Sequence, residues 1–131
     1  MKALVAILLL CPAAAAAQDV DCENASMQME LTYCAEQAWL QADAELNDVY
    51  ADARALAKEL DAALPSDQRG IAQALLDGQR AWVTFRDKSC EAEAGVMRGG
   101  SAEPMLIYGC WERLTWVRAE DLAGFVETVD Q

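Results

Sequence analysis

The 131 residues are enough for one domain, and a hydrophobic content of 54% is enough for a packed core, which excludes wholesale disorder. The 22 acidic residues against 10 basic ones give a net charge of -12. This balance argues against nucleic acid as a partner, because phosphate binding needs clustered Lys and Arg. Histidine is absent, which excludes imidazole-based catalytic triads and helical zinc motifs, and we predict no cofactor or metal.

Residues 1–17 have the pattern of a secretory signal peptide. Lys2 gives a positive start, residues 3–10 form an apolar run, and the small residues Ala15 and Ala17 fit a cleavage site. The apolar run is too short to span a bilayer. We therefore predict cleavage after Ala17 and a periplasmic or secreted protein without a membrane span.

The predicted mature protein, residues 18–131, is a single helical domain with a net charge of -13, because cleavage removes one base. Cys11 raises the alternative of a lipoprotein. The residue before it, Leu10, is too large for a lipobox, so lipid attachment is not predicted.

The first predicted helix runs from about Met27 to Leu64. Its apolar residues are spaced by threes and fours along one stripe. The stripe contains Leu31, Ala35, Ala38, Ala42, Leu46, Val49, Ala53, Leu56, Leu60 and Leu64. Asn24 or Ser26 can cap its start, and Pro65-Ser66 ends it.

The second predicted helix is capped by Ser66 or Asp67 and ends near Gly95, where glycines break the pattern. Its apolar face contains Ile71, Leu75, Gly78, Trp82, Phe85 and Ser89. A glycine on this face costs helix propensity, so Gly78 predicts a close approach of a neighbouring helix.

The third predicted helix opens at Ser101, with Pro104 tolerated in its first turn. Its stripe contains Ile107, Cys110, Leu114, Val117, Leu122 and Phe125. The mature sequence has no stretch that alternates with the period of a strand. The predicted fold is therefore all-α, an up-down-up bundle of three helices joined by short loops.

Four cysteines follow the signal peptide: Cys22, Cys34, Cys90 and Cys110. An even number in an exported chain of this size predicts two disulfides, and the absence of a C-x-x-C pair argues against zinc. Helix register favours Cys90 with Cys110 and Cys22 with Cys34. A bend of a few residues would favour Cys34 with Cys90 instead, so the pairing stays open.

Three stretches carry residues that a plain bundle does not require. They contribute Asp43, Asn47 and Tyr50; Trp82, Arg86 and Asp87; and Thr115 and Arg118. Because a buried guanidinium must be paired, we predict that Arg86 and Arg118 pair with Asp43 or Asn47. These residues are expected to tie the helices together rather than to touch a partner.

The chain resembles the LprI-type lysozyme inhibitors, small exported bacterial domains, from Cys22 to about Leu122. The most specific segments are Asp-x-Glu-Leu-Asn-x-x-Tyr at 43–50 and Gln-Arg-x-Trp-x-x-Phe-Arg-Asp-x-x-Cys at 79–90, followed by the order Cys110, Thr115, Arg118. The poor lipobox departs from the lipoprotein form of the family, so membrane anchoring is not carried over.

The resemblance implies a binding protein, not an enzyme, with a c-type lysozyme as the candidate partner. Such lysozymes are cationic, and the acidic charge would steer them to this surface, although acidity can also serve solubility alone. Trp111 and Trp116, together with Trp39, are the predicted contact residues if they are exposed, because aromatics dominate interface energetics. The alternative is a cell-envelope interaction module with another protein partner.

Overall fold

The computed structural model describes residues 20–128, so the predicted signal peptide, residues 1–17, lies outside the described part of the chain. Three helices make up most of this part: α1, Gln28–Ala63; α2, Ile71–Ala94; and α3, Glu103–Glu127. Single turns of 3₁₀ helix follow α1 and α2, at Ser66–Gln68 and Gly95–Met97. No strand occurs between residues 20 and 128, and the all-α prediction is confirmed.

The helices pack in the predicted up-down-up order. α1 and α3 run parallel in register, since the Gln28 side chain reaches Met105 and the Tyr108 hydroxyl reaches Glu36. α3 packs along much of α1, whereas α2 makes a smaller interface with each. At 36 residues, α1 is about 54 Å long and extends past both partners.

Small side chains dominate the buried core. The residues with almost no exposed surface include Ala42, Ala53, Ala57, Ala94 and Ala119, and Leu46 and Leu122 fill the space between α1 and α3. Alanine lets helix backbones approach closely, because it adds only a methyl group between them. Larger side chains, among them Tyr50, Trp82 and Phe125, are only partly buried and pack around this core.

The cap of α1 differs from the prediction. Met27, not Asn24 or Ser26, occupies the N-cap position. The carboxylate of Glu30 accepts hydrogen bonds from the backbone N–H groups of Ser26 and Met27, at 3.2 and 3.1 Å. Of the two hydrogen bonds of a capping box, the one to the N3 carboxylate thus caps the start of α1, where the sequence predicted a polar N-cap side chain.

α2 begins later than predicted, because Ser66 and Asp67 belong to the 3₁₀ turn. Its N-cap is Gly70, with φ of 146°, a conformation that favours glycine. The cap itself is provided by Asp61 in the last turn of α1. Its two carboxylate oxygens accept the backbone N–H groups of residues 70, 71 and 72 at 2.9 to 3.0 Å. The predicted end of α2 near Gly95 is confirmed.

Two predicted core positions, Phe85 and Val117, are wrong. Phe85 is 60% exposed and Val117 is 51% exposed, whereas Arg86 and Thr115 are buried. In both helices a polar residue faces the bundle axis. Arg86 follows Phe85 by one residue, about 100° around α2, and Thr115 precedes Val117 by two residues, about 200° around α3. Gly78 is also exposed, with no atom close to where a Cβ would lie, so the predicted close approach is wrong.

Both disulfides form, between Cys22 and Cys34 and between Cys90 and Cys110, with Cα atoms 5.6 and 5.5 Å apart. The first attaches the segment before α1 to that helix, and the second joins α2 to α3. Cys90 and Cys110 are buried, while Cys22 is exposed. Across residues 20–128, no helix has both the length and the apolar character needed to cross a membrane.

Candidate functional site

Arg86 lies where the three helices meet. It is only 9% exposed, and its Nε and Nη2 atoms both contact Oδ1 of Asp87 at 2.9 Å. Its Nη1 lies 3.9 Å from Oδ1 of Asp43 on α1. The guanidinium also lies between two indole rings, 5.2 Å from the centre of Trp82 and 5.3 Å from that of Trp111 on α3. Carboxylates and aromatic faces together compensate a charge removed from water.

The other motif residues on α1 border this centre. Asn47 is exposed and donates a hydrogen bond to Asp43 at 3.0 Å, which orients that carboxylate toward Arg86. Tyr50 is half-buried against the core, and the guanidinium of Arg54 lies 5.7 Å from its ring centre. Asn47 and Tyr50 therefore make contacts with other residues of the bundle.

Arg118 does not pair with Asp43 or Asn47, so that part of the prediction is wrong. Its Nε donates to Oε1 of Gln79 at 3.0 Å, which links α3 to α2. Gln79 opens the motif segment on α2, and the sequence does not identify it as the partner of Arg118 because the two residues are 39 positions apart. Thr115 is fully buried between the helices.

An aromatic cluster continues from Arg86 toward the N-terminal ends of α1 and α3. Trp39, Tyr108 and Trp111 have ring centres 5.0 to 5.8 Å apart, in tilted, stacked and edge-on arrangements. The Tyr108 hydroxyl donates to Oε1 of Glu36 at 3.2 Å. Partial burial raises the pKa of Tyr108 above its usual 10.0, and the Glu36 carboxylate adds to the rise. Tyr108 therefore stays protonated and remains a hydrogen-bond donor at neutral pH.

The predicted contact residues fall into two environments. Trp111 is half-buried in the aromatic cluster and touches Arg86, while Trp116 is 39% exposed on another face of α3. Trp39, considered as a third contact, is half-buried in the same cluster as Trp111. The structure therefore does not place Trp111 and Trp116 in one patch.

Charge is distributed unevenly along the chain. Residues 20–53 hold eight acids and no base, while residues 54–128 hold twelve acids and nine bases. The first segment thus carries -8 and the second -3. The sequence contains this run without bases, but the net charge of the whole chain does not reveal it. We call residues 20–53, which comprise the segment before α1 and α1 as far as Ala53, the acidic pole. Between residues 20 and 128, no group of three or more metal-ligating side chains comes together.

The family model for the lysozyme inhibitor LprI matches residues 21–122, most of the chain. An uncharacterized protein of Rhizobium meliloti (strain 1021) is 41% identical, over 96% of this chain and 94% of its own length. No solved structure matches this chain significantly. The motif residues Asp43, Arg86 and Arg118 all lie within the matched region, where they join helices. The chain belongs to the LprI lysozyme inhibitor family.

Proposed function

We propose that this protein is exported and binds a cationic c-type lysozyme, blocking its access to peptidoglycan. Family membership supports an inhibitor-like role, and the observation that gives it a physical basis is the acidic pole. A segment with a charge of -8 and no base of its own presents a negative field to a positively charged enzyme. Fields of this kind raise association rates by roughly 10 to 1,000-fold.

The bundle is suited to rigid binding rather than to chemistry. Arg86, the most deeply placed charge of the motif, is used in contacts to all three helices, and its carboxylate partners are engaged with it. Two disulfides restrict the framework further. A pre-organised surface loses less conformational entropy when it binds, which favours a tight complex. These features support a binding role.

A wall-lysis assay tests the proposal. The purified exported protein is mixed with c-type, g-type and invertebrate-type lysozymes, and the clearing of a cell-wall suspension is followed. We expect loss of lysis with the c-type enzyme. Lysis that is unchanged with every class at micromolar protein and low salt would contradict inhibition.

The second candidate is a cell-envelope interaction module with a different protein partner. The observation in its favour is that the exposed apolar residues near the acidic pole, such as Met29 and Tyr33, suit any cationic protein with an apolar contact. Binding without inhibition distinguishes the two. A complex with lysozyme detected by calorimetry, combined with undiminished lysis, would favour the interaction module.

A further inference from the structure

An open groove lies between the N-terminal turns of α1 and α3. It has a volume of about 530 Å³, and its lining includes Met29, Thr32, Tyr33, Glu36 and Pro104. Methionine, tyrosine and proline make most of this lining apolar. The side chains come from two helices that are held in register by the Glu36–Tyr108 hydrogen bond. The groove is thus a feature of the bundle and not of one helix.

The apolar side chains of the groove face solvent. Met29 is 77% exposed and Tyr33 is 43% exposed, and Leu40 continues the same face of α1 at 45%. The spacing 29, 33, 36, 40 keeps these positions on one side of a helix. Their exposure shows that neither α2 nor α3 covers these side chains. This face of α1 therefore presents open apolar surface.

A second hollow extends the surface along α3. It has a volume of about 230 Å³, shares Pro104 with the groove, and is lined by Glu103, Tyr108 and Trp111 among others. Aromatic residues that are half-buried beside an open hollow are typical anchors of protein interfaces. The predicted contact residue Trp111 thus borders the same surface, whereas Trp116 lines neither hollow.

The charge around this surface is negative. Glu36 and Glu103 line it, and no base does. Arg98 is near in sequence, but its guanidinium lies next to Gly95. Two other grooves of the bundle, of about 170 and 400 Å³, include Arg54 with Lys58 and Arg118, respectively. The combination of open apolar surface and uncompensated acid distinguishes the groove at the acidic pole from these two.

We propose that this groove is the docking site for the partner, and that it takes an apolar side chain flanked by Lys or Arg on a cationic protein surface. The identification of that protein as a lysozyme rests on the proposed function. A second copy of the chain would bring the same negative pole into contact, and anionic lipids or nucleic acid would be repelled in the same way. Charge complementarity therefore selects a cationic protein.

A binding experiment with matched variants tests the site. The exported protein is titrated with hen egg-white lysozyme, and separately with an amphipathic peptide of Lys and Leu. The groove variant carries Met29→Ser and Tyr33→Ser. Its control carries Phe85→Ser and Val117→Ser, which remove apolar side chains of similar exposure, 60% and 51%, elsewhere. We expect the groove variant to bind lysozyme at least about tenfold more weakly, as for an interface anchor, and the control less than about twofold. Equal melting temperatures of the two variants show that folding is not the cause.

A second pair of matched variants, each of which removes one negative charge, tests the electrostatic part of the proposal. Glu36→Gln keeps an oxygen that can accept the Tyr108 hydroxyl but removes the charge, and Glu59→Gln makes the same change in net charge in the second half of α1. We expect slower association for Glu36→Gln than for Glu59→Gln, by roughly two- to threefold.

The two probes separate the docking site from the proposed function. If lysozyme does not bind but the peptide does, and the groove variant loses the peptide, the lysozyme assignment fails and the docking site stands. If the groove variant binds either probe as well as the control does, or if neither probe binds the unaltered protein, the docking site is wrong.

Discussion

Asp61, in the last turn of α1, accepts a hydrogen bond from the backbone N–H of Ile71, the first residue of α2, at 3.0 Å. The same carboxylate accepts the N–H groups of Gly70 and Ala72. It therefore satisfies three N–H groups that the start of a helix leaves without intrahelical partners, and it does so from a neighbouring helix. The turn between α1 and α2 is held by this carboxylate, by the hydrogen bond from Arg69 Nε to the Leu64 carbonyl at 3.1 Å, and by the backbone conformation of Gly70.

Asp61→Asn should lower the melting temperature at neutral pH. The backbone hydrogen bonds lower the pKa of Asp61 below its usual 3.8. Because the folded-state pKa is the lower one, the stability that Asp61 contributes is present above pH 3.8 and is lost as the pH falls through the folded-state value. Thermal melts of both proteins from neutral to strongly acidic pH should show a difference that shrinks with acid. Asp67→Asn, in the exposed 3₁₀ turn, is the control and should show little difference at any pH.

Arg86→Met should lower the free energy of unfolding by about 1 to 3 kcal/mol, because it leaves partly buried Asp87 and Asp43 without their cation. Arg86→Lys should recover little, since an ammonium cannot lie flat between Trp82 and Trp111. Urea denaturation measures both effects. The exposed Arg80→Met serves as the control and should change stability by less than about 0.5 kcal/mol. Unchanged stability with lost partner binding would instead make Arg86 a contact residue.

Arg118→Met should cost less than Arg86→Met, about 0.5 to 1.5 kcal/mol. Arg118 is only half-buried, and the variant loses one hydrogen bond to a neutral amide, that of Gln79. A double-mutant cycle with Gln79→Ala measures the pair directly. A coupling energy indistinguishable from zero would show that the contact does not stabilise the bundle.

Each disulfide should contribute about 3 kcal/mol to stability through constraint of the unfolded chain, with the larger effect from the Cys90–Cys110 bridge, whose residues are 20 apart rather than 12. Under mild reductant, the Cys22–Cys34 bridge should open first, because Cys22 is exposed and the other pair is buried. Alkylation at timed intervals followed by peptide mass spectrometry gives the order. Earlier alkylation of Cys90 and Cys110 would contradict it, and four free thiols in the exported protein would contradict both bridges.

Association with a cationic lysozyme should slow clearly between 0.1 and 1 M salt, where the Debye length falls from about 10 Å to about 3 Å. The dissociation rate should change less, because the packed centre of an interface is shielded from solvent ions. Surface plasmon resonance separates the two rates. If neither rate responds to salt, the acidic pole serves solubility, and the family alone would support a lysozyme partner.

Much of the fold follows from local pattern. Apolar spacing predicts three helices, Pro65 and Gly95 mark where two of them end, and four cysteines predict two disulfides. These features depend on neighbours along the chain, because helix periodicity, helix stops and turn chemistry are local properties. The family motifs can likewise be recognised in the sequence. The contacts that their residues make with one another cannot be read from it.

Tertiary structure decided which side of each helix faces the others. Pattern placed Phe85 inside, yet Arg86 is buried there, because carboxylates and indoles from three helices surround it and offset the cost of removing its charge from water. Apolar spacing along the sequence favours Phe over Arg as the buried residue, and it contains no information about partners on other helices. Asp61 likewise caps a helix other than its own, and Met29 and Pro104 line a groove that exists only once α1 and α3 lie in parallel register. Residues far apart in sequence determine these features, and the packing of the three helices brings those residues together.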